Sequence, residues 1–135
     1  MRYEENSKLL NLEFLGALTI LFQDSIGGLE VKTIENEWIP APYYENTVLI
    51  NVGNVMEIWT NGLLKSTPHR VANPNDYRKK KSRYSNVYFF EPDFDVELNC
   101  MDGFVSESNP ARFKSILYKD YLLENLKSSY NKYNM

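Results

Sequence analysis

Three polar residues in the second half of the chain have the types and spacing to bind a small acid or a metal. His69 is the only histidine, and Arg83 and Ser85 lie two positions apart. Residues two apart in a strand point to the same side of a sheet. A guanidinium fork beside a hydroxyl is a good carboxylate receptor, so the pair predicts a carboxylate site. The alternative is a surface arginine, a serine bonded to backbone and a structural histidine.

The elements that must position these residues are mostly β-strands. Alternation predicts a partly buried strand at 16–24, and the turn "SIGG" leads into a second strand at 28–33. The β-branched segment 47–53 predicts a buried strand. Two further strands are predicted in "KSTPHRVAN" and "RYSNVYFFEP", and these carry the three candidate residues. The segment "NEWIPAPYYEN", interrupted by two prolines, is not predicted to be a strand.

Helical signals appear at two places. "NVMEIWTNG" predicts one or two helical turns, with Asn54 as the cap and Asn61-Gly62 as the end. From Tyr118 onward, aromatic and leucine residues recur every four positions and predict an amphipathic helix. Many short strands closed by one helix favour a mainly β jelly roll or barrel. The aromatic residues expected to fill its core are Trp59, Tyr88, Phe89 and Phe90.

Composition excludes several classes of protein. A chain of 135 residues with 43% hydrophobic content is enough for one compact domain. A formal charge of −3 does not suggest a nucleic-acid partner, and no apolar run is long enough to cross a membrane. The N-terminus lacks the pattern of a secretory signal. The single cysteine, Cys100, permits no internal disulfide, so we expect a cytoplasmic protein.

From Gly16 to about Tyr121 the sequence resembles a known family. The segments that match are "GALTILFQD", "GGLEV", "EWIPAP", "INVGNVMEIWTNGLLKSTPHRVANP", "RYSNVYFFEPDFD" and "YKDYLLENL". In wording and order they resemble the C-terminal half of the non-haem Fe(II), 2-oxoglutarate-dependent oxygenases of the isopenicillin N synthase-like group. The resemblance implies an incomplete double-stranded β-helix, a distorted jelly roll, with a C-terminal α-helix. The expected domains are a non-matching segment at 1–15 and the oxygenase part at 16–135.

The same resemblance implies the cofactors Fe(II) and 2-oxoglutarate and a role for each candidate residue. His69 matches the distal iron ligand, and Arg83 and Ser85 match the pair that binds the far carboxylate of 2-oxoglutarate. The family's other two ligands, a His-x-Asp pair, should lie directly before Gly16, but Leu12 and Phe14 occupy those positions.

Glu13 lies between these two positions, and a shift of one residue along a strand sends its side chain to the opposite face. We therefore do not expect Glu13 to be a ligand. With two of three ligands missing, metal binding is expected to be weak or absent, and the chain alone is predicted to be inactive.

Two explanations of this departure stay open. Residues 1–15 can be a misjoined or alternatively spliced segment on a true oxygenase half. Alternatively, the protein is a degenerate relative that serves as a non-catalytic dicarboxylate-binding or protein-interaction module. The abrupt loss of similarity before Gly16 favours the first. The small-molecule substrate stays unidentified, and a barrel lacking its first strands should expose an edge that can self-associate.

Overall fold

A computed structural model describes residues 15–72 and 81–133, with side chains as far as Lys127. Within these residues the elements are β1 Leu18–Gln23, β2 Leu29–Lys32, β3 Trp38–Pro40, β4 Leu49–Val52, α1 Asn54–Trp59, β5 His69–Val71, β6 Ser85–Phe90, β7 Glu97–Leu98, a 3-10 turn Asp102–Phe104, β8 Ile116–Leu117 and α2 Tyr118–Tyr133. None of the described helices is both long and apolar enough to span a membrane.

The strands form two antiparallel sheets of three strands and a short two-stranded ladder. The sheet orders are β4-β1-β6 and β3-β2-β5, and β7 pairs with β8. Five of the strands and both helices lie where the sequence predicted them, and the expectation of a mainly β fold with a C-terminal helix is confirmed. The strand β3 was missed, because its proline stands at the strand end, where a missing N–H is tolerated.

The two larger sheets pack face to face through an apolar core. Leu21 of β1 and Leu29 of β2 are both buried here, next to Ala41. Burying one leucine side chain contributes about 2 kcal/mol to the free energy of folding, so this small cluster stabilises the packing of the two sheets. Val31 and Leu49 pack against its edge. The faces of β1 and β2 that point into this core are therefore the inner faces of the fold.

A second core joins the helices to the end of the sheets. Its fully buried members are Ala17, Val55, Leu98 and Tyr118. Tyr118 begins α2 and stacks on Phe94 with ring centroids 6.3 Å apart. This core anchors α2 beside α1 and β7.

The predicted C-terminal end of α1 is correct, and its predicted N-cap is wrong. Asn61 and Gly62 terminate the helix in the left-handed region, at φ 51° and 81°, as the sequence predicted. The predicted cap at Asn54 is wrong, because Gly53 is the N-cap and supplies no side-chain hydrogen bond. Asn54 is instead the first residue inside the helix.

The prediction that the β6 aromatics fill the core is wrong. Tyr88, Phe89 and Phe90 are each at least half exposed, at 59%, 53% and 50%. In the described part of the sheet, β6 pairs with β1 alone, and all six of its residues are exposed. For the same reason Ile50, on the outer strand β4, is exposed although that segment was predicted to be buried. Trp59 does pack against the second core.

Candidate carboxylate-binding site

Arg83 and Ser85 come together as their spacing predicted. Arg83 Nη1 donates a hydrogen bond to Ser85 Oγ at 3.2 Å, and its Nε donates to the carbonyl of Gly27 at 2.7 Å. Arg83 lies two residues before β6, rather than inside the predicted strand, and Ser85 is the first residue of β6. The two bonds fix the guanidinium plane between the strand and the turn that connects β1 to β2.

The charge of Arg83 is the notable property of this site. The residue is buried, with 6% of its surface exposed, and an arginine stays protonated at all physiological pH values. Both oxygens that accept its hydrogen bonds are neutral, and within the described residues no carboxylate forms an ion pair with it. Buried cations are normally paired, because desolvating an uncompensated charge costs several kcal/mol.

His69 begins β5 and lies opposite Val31 of β2. Its Nδ1 is 3.1 Å from the carbonyl oxygen of Thr67. A carbonyl can only accept, so Nδ1 carries the proton and Nε2 of the neutral imidazole keeps its lone pair. Metal-binding histidines are commonly oriented through such a bond to a backbone carbonyl.

The strand registers place His69 and Ser85 on facing inner surfaces. His69 shares a sheet face with Val31, which packs against the inter-sheet core. Ser85 lies opposite Gln23, two residues along β1 from the buried Leu21 and hence on the same face as it. Both sheets therefore direct a predicted site residue into the space between them.

The turn between β1 and β2 joins these residues at one end of the fold. Gly27 accepts from Arg83, and the carbonyl of the next residue, Gly28, accepts from the backbone of Ala72 at 2.8 Å. Ala72 directly follows β5. His69 begins that strand and therefore lies three residues, or about 10 Å, from Ala72 along it. The turn between β1 and β2 is thus bonded both to Arg83 and to the residue that follows β5.

The described residues do not complete a metal centre. Across 15–72 and 81–133 there is no group of three or more histidine, cysteine or acidic side chains that could hold an ion. The positions assigned to Leu12, Glu13 and Phe14 lie outside the described residues, so the prediction about the missing His-x-Asp pair stays a prediction.

Sequence reasoning missed the backbone contribution of Gly27. Its carbonyl is the strongest partner of Arg83, at 2.7 Å, and its φ of +66° is one that residues with a side chain rarely adopt. The available signal was the turn "SIGG" in the sequence, which predicts a left-handed position. Nothing in a linear sequence shows which carbonyl a distant arginine will reach.

A separate cavity lies at α1 and the loop after β7. It has a volume of about 450 Å³ and is lined by residues of 60–63 and 103–112. None of the three candidate site residues contributes to it. The cavity is therefore not the carboxylate site.

Two antiparallel sheets that pack on a shared apolar core, followed by a C-terminal helix, are the architecture of a jelly roll. A family model for the 2OG-Fe(II) oxygenase superfamily matches residues 14–92. The chain belongs to this superfamily.

Curated relatives and solved structures agree with this assignment. Homoarginine-6-hydroxylase 2-ODD-C23 of Glycine max is 38% identical over 109 residues, a match that covers 79% of this chain and 32% of the relative. The chain spans about a third of the length of the curated relatives it matches.

Two solved structures share the fold. A full-length Neurospora crassa protein, solved in complex with alpha-KG, superimposes with a TM-score of 0.76 at 34% identity, covering 88% of this chain and 37% of that one. A putative 2OG-Fe(II) oxygenase family protein from Caulobacter crescentus gives a TM-score of 0.81 at 30% identity, with 93% and 41% covered. Both matches include most of the described residues of this chain.

Proposed function

We propose that this chain carries the 2-oxoglutarate-binding part of an Fe(II)/2-oxoglutarate-dependent oxygenase, and that by itself it binds the cosubstrate without turning it over. The observation that supports the proposal is the buried guanidinium of Arg83, which is bonded to two neutral oxygens and to no described counterion. A carboxylate is planar and bidentate, so it fits the remaining donors of the guanidinium. Ser85 supplies the hydroxyl beside it.

Inactivity of the chain alone follows from its metal ligands. His69 offers Nε2, but among the described residues no second and third ligand stand near it. One imidazole gives neither the affinity nor the fixed geometry that an iron site requires. We therefore assign no catalytic step to the described residues and expect any metal binding to be weak.

The names of the relatives support a proposal for the class of substrate. Several are named for hydroxylation of small organic molecules, among them homoarginine and scopoletin. We propose that the whole protein, when its metal site is complete, oxidises a small organic molecule. We also propose a cytoplasmic location, because Cys100 is a free thiol, as suits a reducing compartment.

The test is calorimetric titration of the metal-free chain with 2-oxoglutarate. We expect measurable binding by the wild type. Arg83→Ala should weaken it by about 30-fold to 1000-fold, because the ligand carboxylate loses a charged partner worth about 2–4 kcal/mol. Ser85→Ala should weaken it less. Arg112→Ala, which removes an exposed arginine at the separate cavity, is the matched control and should bind as the wild type does.

Two results would count against the proposal. Equal affinities of the wild type and Arg83→Ala would place the ligand elsewhere. The absence of any binding would leave a piece of an oxygenase that has lost its cosubstrate pocket. Metal-free binding that depends on Arg83, without turnover, is also what a non-catalytic dicarboxylate-binding module would do, and sequencing the transcript upstream of Gly16 separates these two cases.

A further inference from the structure

Asp24 links the two segments that hold Arg83. It follows β1 directly, and its two carboxylate oxygens accept hydrogen bonds from different parts of the chain. Asp24 Oδ1 accepts from the backbone N–H of Ile26 at 3.0 Å, inside the turn between β1 and β2. Asp24 Oδ2 accepts from the backbone N–H of Tyr84 at 2.6 Å, sixty positions away. Hydrogen bonds to a carboxylate are the short and strong kind, so one side chain ties the turn to the start of β6.

The backbone of Asp24 adds to the same connection. Its N–H donates to the carbonyl of Tyr84 at 3.2 Å, and its own carbonyl accepts from Gly27 at 3.2 Å. Tyr84 is the neighbour of Arg83 in the chain, and Gly27 is the residue whose carbonyl binds Arg83 Nε. Asp24 therefore fixes the backbone that carries the guanidinium and also the carbonyl that orients it.

We propose that Asp24 is a positioning residue, which sets the direction in which Arg83 presents its free N–H groups to the far carboxylate of 2-oxoglutarate. The inference rests on the proposed function and deepens it. Its physical reason is that a bidentate guanidinium–carboxylate contact depends on the plane of the guanidinium. A turn released from Tyr84 would let Gly27 and Arg83 move apart.

The experiment compares Asp24→Asn, Arg83→Ala and the wild type in the full 135-residue chain. Asparagine keeps the size of the side chain but replaces one of the two accepting oxygens with an NH2 group, which can only donate and so faces the backbone N–H of Ile26 or Tyr84 without a hydrogen bond. We expect about tenfold weaker binding of 2-oxoglutarate by Asp24→Asn, the loss that one charge-assisted hydrogen bond predicts. Asp95→Asn, an exposed aspartate in the loop after β6, is the matched control and should bind as the wild type does.

A spectroscopic measurement separates positioning from general damage. In ¹⁵N-labelled protein, the Nε–H resonance of Arg83 reports its bond to Gly27 and should shift in Asp24→Asn but not in Asp95→Asn. Gly27→Ala gives a second route, because a Cβ there meets no atom within 4 Å and is disfavoured by φ alone. It should weaken binding in the same direction, and it decides the matter if Asp24→Asn does not fold.

Weaker binding together with a shifted Arg83 resonance supports the inference. Weaker binding with an unshifted Arg83 resonance overturns it, because the loss of affinity then does not act through the guanidinium. Unchanged binding in Asp24→Asn, or in Gly27→Ala where the first variant does not fold, overturns it. If the wild type and Arg83→Ala bind 2-oxoglutarate equally, the proposed function fails. The Arg83 resonance in Asp24→Asn then decides the role of Asp24 by itself: a shift supports positioning of the guanidinium, and an unshifted resonance excludes it.

Discussion

Replacing the buried Asn61 with alanine should strongly destabilise the fold. The residue is 3% exposed and holds the end of α1 against the loop 104–112. Its Nδ2 donates to the carbonyls of Phe104 at 3.2 Å and Pro110 at 3.1 Å, and its Oδ1 accepts from the backbone of Arg112 at 2.9 Å. Its φ of 51° also favours asparagine over alanine.

The size of this destabilisation can be worked out from these contacts. The three bonds contribute about 1 kcal/mol each, and alanine at a left-handed φ costs roughly 1 kcal/mol more. Asn61→Ala should therefore lower the free energy of unfolding by about 4 kcal/mol, a large part of the roughly 5–15 kcal/mol typical of a domain. Asn61→Gly removes the backbone cost and should lose about 3 kcal/mol. Asn61→Asp should be at least as harmful as alanine, because it turns a carboxylate oxygen toward the carbonyls.

The assay is urea unfolding followed by circular dichroism, read as a change in midpoint at constant slope. Asn46→Ala is the matched control, since Asn46 has φ 58° but is exposed. It should cost about 1 kcal/mol, the backbone share alone. If Asn61→Ala cost no more than Asn46→Ala, the three side-chain hydrogen bonds of Asn61 would contribute nothing to stability, contrary to this prediction.

Three further predictions concern charge and metal. Burial, and then the negative charge of Glu91, raises the pKa of Tyr118 from 10.0 to about 12. The folded state then keeps this proton to a higher pH than the unfolded state does. The contribution of Tyr118 to the free energy of unfolding should therefore be complete below pH 10 and fall by up to about 3 kcal/mol toward pH 12. Urea unfolding of Tyr118→Phe at alkaline pH should show a weaker dependence of stability on pH. Calorimetry with Fe(II) under anaerobic conditions should find at most weak binding, and a tight stoichiometric site abolished by His69→Ala would show that the assigned register of ligands is wrong. Glu30→Gln should lower the free energy of unfolding by about 1 kcal/mol or less, because its 2.7 Å ion pair with Arg70 is partly exposed, and an effect several times larger would contradict that assignment.

The sequence was sufficient wherever a local pattern decides the structure. The alternation at 16–24 predicts a partly buried strand, and β1 spans Leu18–Gln23. It does not predict the buried face, because Phe22, on the more apolar side of the pattern, is 52% exposed, whereas Thr19 and Leu21 on the other side are 5% and 7% exposed. The stripe after Tyr118 predicts α2. The spacing of Arg83 and Ser85 predicts that both point to one side, and their 3.2 Å hydrogen bond agrees.

The sequence was insufficient wherever neighbours distant in the chain decide the outcome. Tyr88 and Phe90 have the composition of core residues, but their exposure depends on whether another strand covers β6, which no local pattern contains. The roles of Asp24 and Gly27 depend on a turn meeting a segment sixty residues away. The two-residue strands β7 and β8 are too short to carry a period.

The proposed role of the buried Arg83 guanidinium, as a receptor for the far carboxylate of 2-oxoglutarate, can be examined in a crystal structure of this chain grown with 2-oxoglutarate. We expect the carboxylate to be bound by two hydrogen bonds from Arg83 and to lie within hydrogen-bond distance of Ser85 Oγ, with the Gly27 bond retained. A carboxylate bound elsewhere, or an Arg83 turned out to solvent with its bond to Gly27 broken, would contradict it.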